Sequence, residues 1–254
     1  FISGGVIVGG GGMNGVTGNM SGNTVTITGG ALNNNNKIFA GDSRELSSTS
    51  NGNIVNLGDK ETGKFDANLR GAEVWGTSYD GQVQANDSDK IKGNTLNVNA
   101  KNITAKSVAN FENYKFKLNS ATTFGDTMLT VTDAGDFAGP GVDLNKITVD
   151  STGLSADYLG TQHGIKRITL LKRSNDTDTL TFANYAAREA ATATETHEFG
   201  FVTNNGTDTA NALMLEASRF KDSHVTYDGT TPTFGGEVYG GLSRYGHATT
   251  GNTL

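Results

Sequence analysis

Apolar positions along this 254-residue chain recur with a period of two, over stretches only four or five residues long. In Thr24-Val25-Thr26-Ile27-Thr28, Val25 and Ile27 fall on one side of an extended backbone and three threonines on the other, the pattern of a half-buried strand. Ile54-Val55-Asn56-Leu57 and Thr95-Leu96-Asn97-Val98 repeat it. Further runs containing Ile147 and Val149, Ile168 to Leu171, Leu180 and Phe182, Phe199 and Phe201, and Leu213 and Leu215 lie between Gly, Asn and Asp punctuation, so short strands are predicted almost throughout. One helix is conceivable, in the alanine-rich stretch 183–193, although it carries too few apolar residues for a buried face.

The strands belong to a repeat. Gly22-Asn23-Thr24-Val25, Gly52-Asn53-Ile54-Val55, Gly93-Asn94-Thr95-Leu96 and Gly251-Asn252-Thr253-Leu254 align, and upstream of each stands an apolar pair followed by small residues, at Val8, Ile38, Val74 and Val238. The first three of these starts are 30 and 36 residues apart, a spacing that signals stacked architectures in which no single repeat buries its own face. The fold class expected is all-β, a parallel β-solenoid (β-helix) with short strands and Gly/Asn corners and a less regular middle segment. Turns of such a stack lie about 4.8 Å apart, so corners must be small and tolerate left-handed backbone angles. The domain organisation expected is solenoid repeats over 1–135, an irregular β-rich insertion or cap-like segment over 136–224, and the start of a further repeat over 225–254.

Composition fits a thin, repeated core. The chain holds 35 Gly, 34 Thr and 26 Asn, whereas Leu, Ile, Val and Phe together number 54, about a fifth, near the lower edge for chains that bury a core. A net charge of −6 without a basic run argues against nucleic acid or an anionic membrane as partner, and apolar stretches as short as 168–171 argue against direct membrane insertion. No cysteine is present, which excludes a disulfide scaffold and thiol catalysis.

The V-Y-G-G-x-S-x-x-G-x-A-x-x-G-N-T pattern of 238–254, with the T-I-T-G-G follow-on of 22–30, resembles the repeats of bacterial autotransporter passenger and adhesin-like surface proteins. A segment with Val108, Phe111, Tyr114 and Phe116, followed by 125–131, is similar to another block recurring among them. The resemblance covers roughly 1–135 and 225–254. It implies a secreted or surface-displayed β-solenoid of a Gram-negative-type cell, extracellular and structural or adhesive, with no catalytic residues to carry over.

Candidate chemistry is sparse. Gly10, Gly12 and Gly15 satisfy G-x-G-x-x-G, but no helix or ribose-binding acid follows, so nucleotide binding is not expected. His163, His197, His224 and His247 lack metal-ligand spacing. Glu195, His197 and Glu198 suit a solvated loop as well as an acid–base group. The clusters around Asp87/Asp89 and Asp176/Asp178 lack the EF-hand glycine and glutamate and read as turns. Trp75 and Tyr239 share a repeat position, with Tyr79 and Tyr245 nearby; a stacked ladder or a contact between protomers is favoured over a sugar-binding row. No enzyme activity, metal or cofactor is therefore expected.

Placing Asn252-Thr253-Leu254 before Phe1-Ile2-Ser3 reproduces the motif of 23–28. These six residues are the expected head-to-tail contact between copies, giving an open filament or a covalent array. Surface glycans are the other partner class considered. The alternatives kept open are a carbohydrate-binding or carbohydrate-active β-helix protein and a trimeric adhesin head.

Overall fold

The computed structural model describes residues 5–12, 17–32, 35–82, 87–154, 166–185, 197–222, 240–243, 246 and 248–253. Among them the chain is nearly all β, and successive passes lay strands side by side in parallel. One face takes β2 (Thr24–Ile27), β5 (Ile54–Leu57), β7 (Thr95–Val98), β9 (Asn113–Lys117) and β12 (Ile147–Asp150), all parallel and in that order. A larger sheet begins with β1 (Val6–Gly11), β4 (Lys37–Ser43), β6 (Asp66–Tyr79), β8 (Ile103–Ala109) and β10 (Thr127–Val131). The first half of β6 also receives β3 (Gly29–Ala31). β6 is long because it rounds a corner: its pairing with β8 shifts register between Leu69 and Glu73, around Gly71 at φ 88°.

Alternation explains the core. Val25, Val55, Leu96, Tyr114 and Ile147 stand in register down the five-stranded face, all buried, with Ile27, Leu57, Val98 and Phe116 as a second column beside them. Ile38, Val74 and Val108 form the column opposite, on the larger sheet. Each side chain rests on a like one about 4.8 Å away, so a chain poor in aliphatic residues still builds one continuous core.

Parallel pairing continues beyond residue 136. β12 lies on β9, β13 (Lys166–Arg173) on β10, and the two-residue β11 (Val142–Asp143) on β14 (Leu180–Ala183), all parallel. Antiparallel pairing enters with β15 (His197–Thr203), β16 (Thr209–Ala210) and β17 (Ala212–Arg219). The connection from β15 to β17 is too short for a parallel crossover, so the chain must double back.

Helix is scarce among the described residues: α1 (Ser88–Ile91) and two 3-10 turns at Gly135–Phe137 and Leu144–Lys146. α1 falls in the first acidic cluster, which was expected to be a turn; Asp87 accepts hydrogen bonds from the amides of Asp89 and Lys90 and caps it. Most of the alanine-rich stretch, 186–193, lies outside the described residues. No helix among them is long and apolar enough to cross a membrane.

Leu96 is fully buried between Val55 and Tyr114. Leu96→Ala is expected to lower the unfolding free energy by about 2–5 kcal/mol, and Thr24→Ala, exposed on the same face, by less than about 0.5 kcal/mol. Denaturant titration of the two variants checks the inward and outward assignment.

Candidate functional site

Each repeat turns its first corner on a Gly-Asn pair. Gly22, Gly52, Gly93 and Gly251 all adopt φ between 65° and 73°, the left-handed region that glycine enters at little cost. The asparagine that follows cannot give its backbone N–H to a strand neighbour, because pairing begins one residue later. At Asn23 and Asn53 a side-chain carbonyl of the next pass takes that proton instead, whereas Asn94 N–H donates locally to the Ile91 carbonyl (3.0 Å). Asn23 N–H donates to Asn53 Oδ1 (2.9 Å) and Asn53 N–H donates to Asn94 Oδ1 (2.9 Å). Asn23 Nδ2 donates to the same Asn53 oxygen (3.1 Å), and Asn94 Nδ2 donates to the Asn110 carbonyl (3.1 Å). Asn53, Asn94 and Asn110 are fully buried.

The same ladder accounts for the glycines upstream. A Cβ on Gly10 would stand 2.5–2.6 Å from three atoms of the Asn23 carboxamide, which lies flat against the Gly10 Cα. One on Gly41 would meet Ser50 Oγ, and Asn53 Nδ2 at 2.7 Å. Gly241 faces Asn252 in the same way, and Gly240 meets its Cβ at 3.4 Å. Gly10 and Gly12 thus sit in and beside β1, packed on Asn23 and Met20; Gly15 lies outside the described residues. A second row occupies the next corner, where Asn119 Nδ2 donates to the Asn99 carbonyl (3.0 Å) and Asn99 Nδ2 to the Gly58 carbonyl (3.1 Å).

The principal ladder meets a carboxylate at Asp136, which follows Gly135, another left-handed glycine at φ 57°. Asp136 Oδ1 accepts from Asn110 N–H (2.8 Å), and Oδ2 from Phe111 N–H (2.9 Å) and Tyr114 Oη–H (2.7 Å). Burial pushes its carboxyl up to about 6, against the pull of those three donors. The Tyr114 hydroxyl is pushed well above its ordinary value by burial and by this carboxylate. Searching for repeats by asparagine misses Asp136; the signal that finds it is a positive-φ glycine followed by a side chain of asparagine's shape.

Other expected chemistry is distributed or occupied. Glu198 accepts from the hydroxyls of Ser218 and Ser243, both at 2.9 Å, and Glu216 receives Arg167 Nε (2.9 Å) and Nη2 (2.8 Å). Both glutamates are buried. They share one face of the β15–β17 pair, Glu198 opposite Ser218 and Glu216 opposite Gly200. Sequence reading missed Glu216, whose position shows only once Leu213, Leu215 and Ala217 are assigned inward. His197 is buried at the start of β15, in register with Arg219; Glu195, His163, His224 and His247 lie outside the described residues. Asp178 pairs with Arg173 (2.7 Å), and Asn175 accepts from Thr177, the chemistry of a turn. Groups of three or more metal-ligating side chains are absent among the described residues. Trp75 stacks on Phe39 with centroids 5.0 Å apart, in register with Val8 and Ala109. Tyr79 is buried, with the Lys90 ammonium 4.9 Å from its ring centroid; Tyr239 and Tyr245 lie outside the described residues.

Of the six residues expected at a head-to-tail contact, Phe1, Ile2, Ser3 and Leu254 lie outside the described residues. Asn252 and Thr253 belong to a short segment seated on the end of β17. Asn252 Nδ2 donates to the Phe220 carbonyl (2.9 Å), Leu242 N–H to the Arg219 carbonyl (3.0 Å) and Asp222 N–H to the Thr250 carbonyl (3.0 Å).

The chain matches no protein-family model, no curated protein and no solved structure. Its function is therefore argued from the ladder and the faces around it.

Two outcomes follow from this geometry. Gly41→Ala is expected to lower stability by about 2 kcal/mol or more through overpacking on Ser50 and Asn53, with Gly206→Ser, at an open left-handed corner, as the comparison for backbone strain alone. Asp136 also sets a pH dependence. Its folded value, about 6, exceeds the ordinary 3.8, so between these values the folded chain holds a proton that the unfolded chain has lost. Stability from this group is full below pH 4 and is lost as pH rises through 6, about 3 kcal/mol in all. Unfolding of wild type and Asp136→Asn at pH 4 and 7 should show the wild type losing about that much relative to the variant.

Proposed function

We propose that this chain is a parallel β-solenoid serving as a repeat-built structural or adhesive element of an extracellular, bacterial surface protein. The supporting observation is the Gly-Asn ladder: the residues most repeated in the sequence are those consumed in holding one lap on the next. A ladder of this kind is polar and open-ended in its chemistry. Asn23 and Asn53 each give a backbone proton to the asparagine of the following pass, and Asn53 and Asn94 each offer a side-chain carbonyl to the preceding one, so another pass bearing the same motif can be added without new machinery. Copies joined end to end along the stack would extend it by this same hydrogen-bond pattern. Such a contact is heterologous and grows as a filament, not a closed ring.

The recurring glycines and asparagines serve construction, which leaves the outward faces for contact with other molecules. Sedimentation velocity from micromolar to millimolar concentration, followed by electron microscopy, tests it. The expected result is mass rising above 26.5 kDa and filaments one stack wide, whose oriented diffraction has a meridional spacing of about 4.8 Å. A mass that stays monomeric throughout, or that stops at three copies, would contradict it.

A further inference from the structure

The outward side of the five-stranded face carries one row of polar side chains in strict register: Thr26, Asn56, Asn97, Lys115 and Thr148. Its first three members are tied together, Asn97 Nδ2 donating to Asn56 Oδ1 (2.7 Å) and Asn56 Nδ2 to Thr26 Oγ1 (3.0 Å). The bonds fix both carboxamides in one orientation, so the remaining Nδ2 protons and the Asn97 carbonyl are presented at the spacing of the strands. Beside them a groove of about 420 Å³ opens, its rim formed by Lys60, Lys115 and Lys117. Lys115 and Lys117 lie two residues apart on β9, on the side opposite Tyr114 and Phe116, and Lys60 comes from the loop after β5.

Charge in this groove runs against the rest of the molecule. Three lysines face one acid, Asp150, on a chain of net charge −6. Asp150 accepts from the Thr152 amide at 3.0 Å and from its hydroxyl, and its carboxyl is held below the usual carboxylate range first by that hydroxyl and also by the charges of Lys117 and Lys60, so it offsets part of the positive charge of the groove. Among the described residues the three ammonium groups make no ion pair. No run of basic residues announces the cluster in the sequence; stacking assembles it from two laps.

We propose that this groove binds an anionic polysaccharide lying along the stack axis, with its acid groups at Lys60, Lys115 and Lys117 and its hydroxyls on the Asn56–Asn97 row. The proposal rests on the surface-adhesin reading and names a ligand class and a site for it. An ordered floor of carboxamides both donates and accepts, as sugar hydroxyls require, whereas duplex DNA is held by about six to ten phosphate contacts, more than three lysines can make. A second outward row, Thr104, Thr130 and Lys172 with Arg70 nearby, carries two cations but no carboxamide tie, and serves as the comparison.

Binding is measured on the full chain by calorimetry with heparin and polygalacturonate as acidic probes, and dextran and a duplex oligonucleotide as neutral and nucleic-acid probes. Both acidic polymers should bind, weaken as salt rises, and lose about tenfold or more in affinity for Lys115→Gln/Lys117→Gln. Lys172→Gln should bind like wild type. Asn97→Ala should weaken binding with its thermal unfolding unchanged. Absence of binding by either acidic polymer, equal binding by dextran, tighter binding by the duplex, or loss in Lys172→Gln in place of the double variant would each overturn the proposal. Filament formation by Lys115→Gln/Lys117→Gln separates the two readings, because those lysines take no part in the ladder.

Discussion

A buried backbone N–H at a corner is the constraint on which this architecture depends. When a chain leaves one sheet for another, the first residue past the corner points its amide along the stack before strand pairing has begun. Left unsatisfied in the interior, such a group costs about 1–3 kcal/mol, and it recurs at Asn23, Asn53 and Asn110. Asparagine answers it locally: Asn53 accepts from Asn23 and is itself satisfied by Asn94. At Asn23, Asn53 and Asn94 the preceding glycine supplies the left-handed turn and the glycine across from it the room, while Asn110, which follows Ala109, takes a left-handed φ of 60° itself. Gly, Asn and Thr are abundant because the corners and outward rows use them, while Val25, Val55 and Leu96 need only stack on one another.

The strands of the five-stranded face were legible because inward and outward positions differ so sharply in type: Val25 and Ile27 against Thr24 and Thr26, Val55 and Leu57 against Asn56. The recurring Gly-Asn pair was equally visible, although its ladder partners were not, since pairs 30 and 41 residues apart become neighbours only through the lap length. The helix at Ser88–Ile91 was hidden because Asp87, Ser88 and Asp89 read equally as a cap or as a turn. Parallel pairing beyond residue 136 was obscured for a different reason. Tyr114, Ile147 and Phe182 keep the core continuous without the Gly-Asn pairs by which the earlier repeats are recognised. Glu198, Glu216 and the lysine groove depend on which strands meet, which no local pattern encodes.

Asp136 shows how one substitution in the repeat changes a site's chemistry. A carboxylate can accept from Asn110, Phe111 and Tyr114 at once, but it has no proton to pass on when ionised. The ladder can propagate through asparagine and ends against aspartate. Its burial raises the affinity of this carboxyl for a proton on folding, in contrast to Glu112, Asp126 and Asp150, which partners hold in their charged forms.

Amide hydrogen exchange, resolved residue by residue, tests the ladder most directly. The backbone protons of Asn23, Asn53 and Asn110 have side-chain oxygens as their acceptors, so only an intact ladder protects them. The account predicts protection for Asn53 and Asn110 as strong as for Val55 and Leu96 in the paired strands, and selective loss at Asn53 in Asn94→Ala. Exchange of Asn53 and Asn110 at the rate of exposed loop amides, with Val55 and Leu96 still protected, would contradict it.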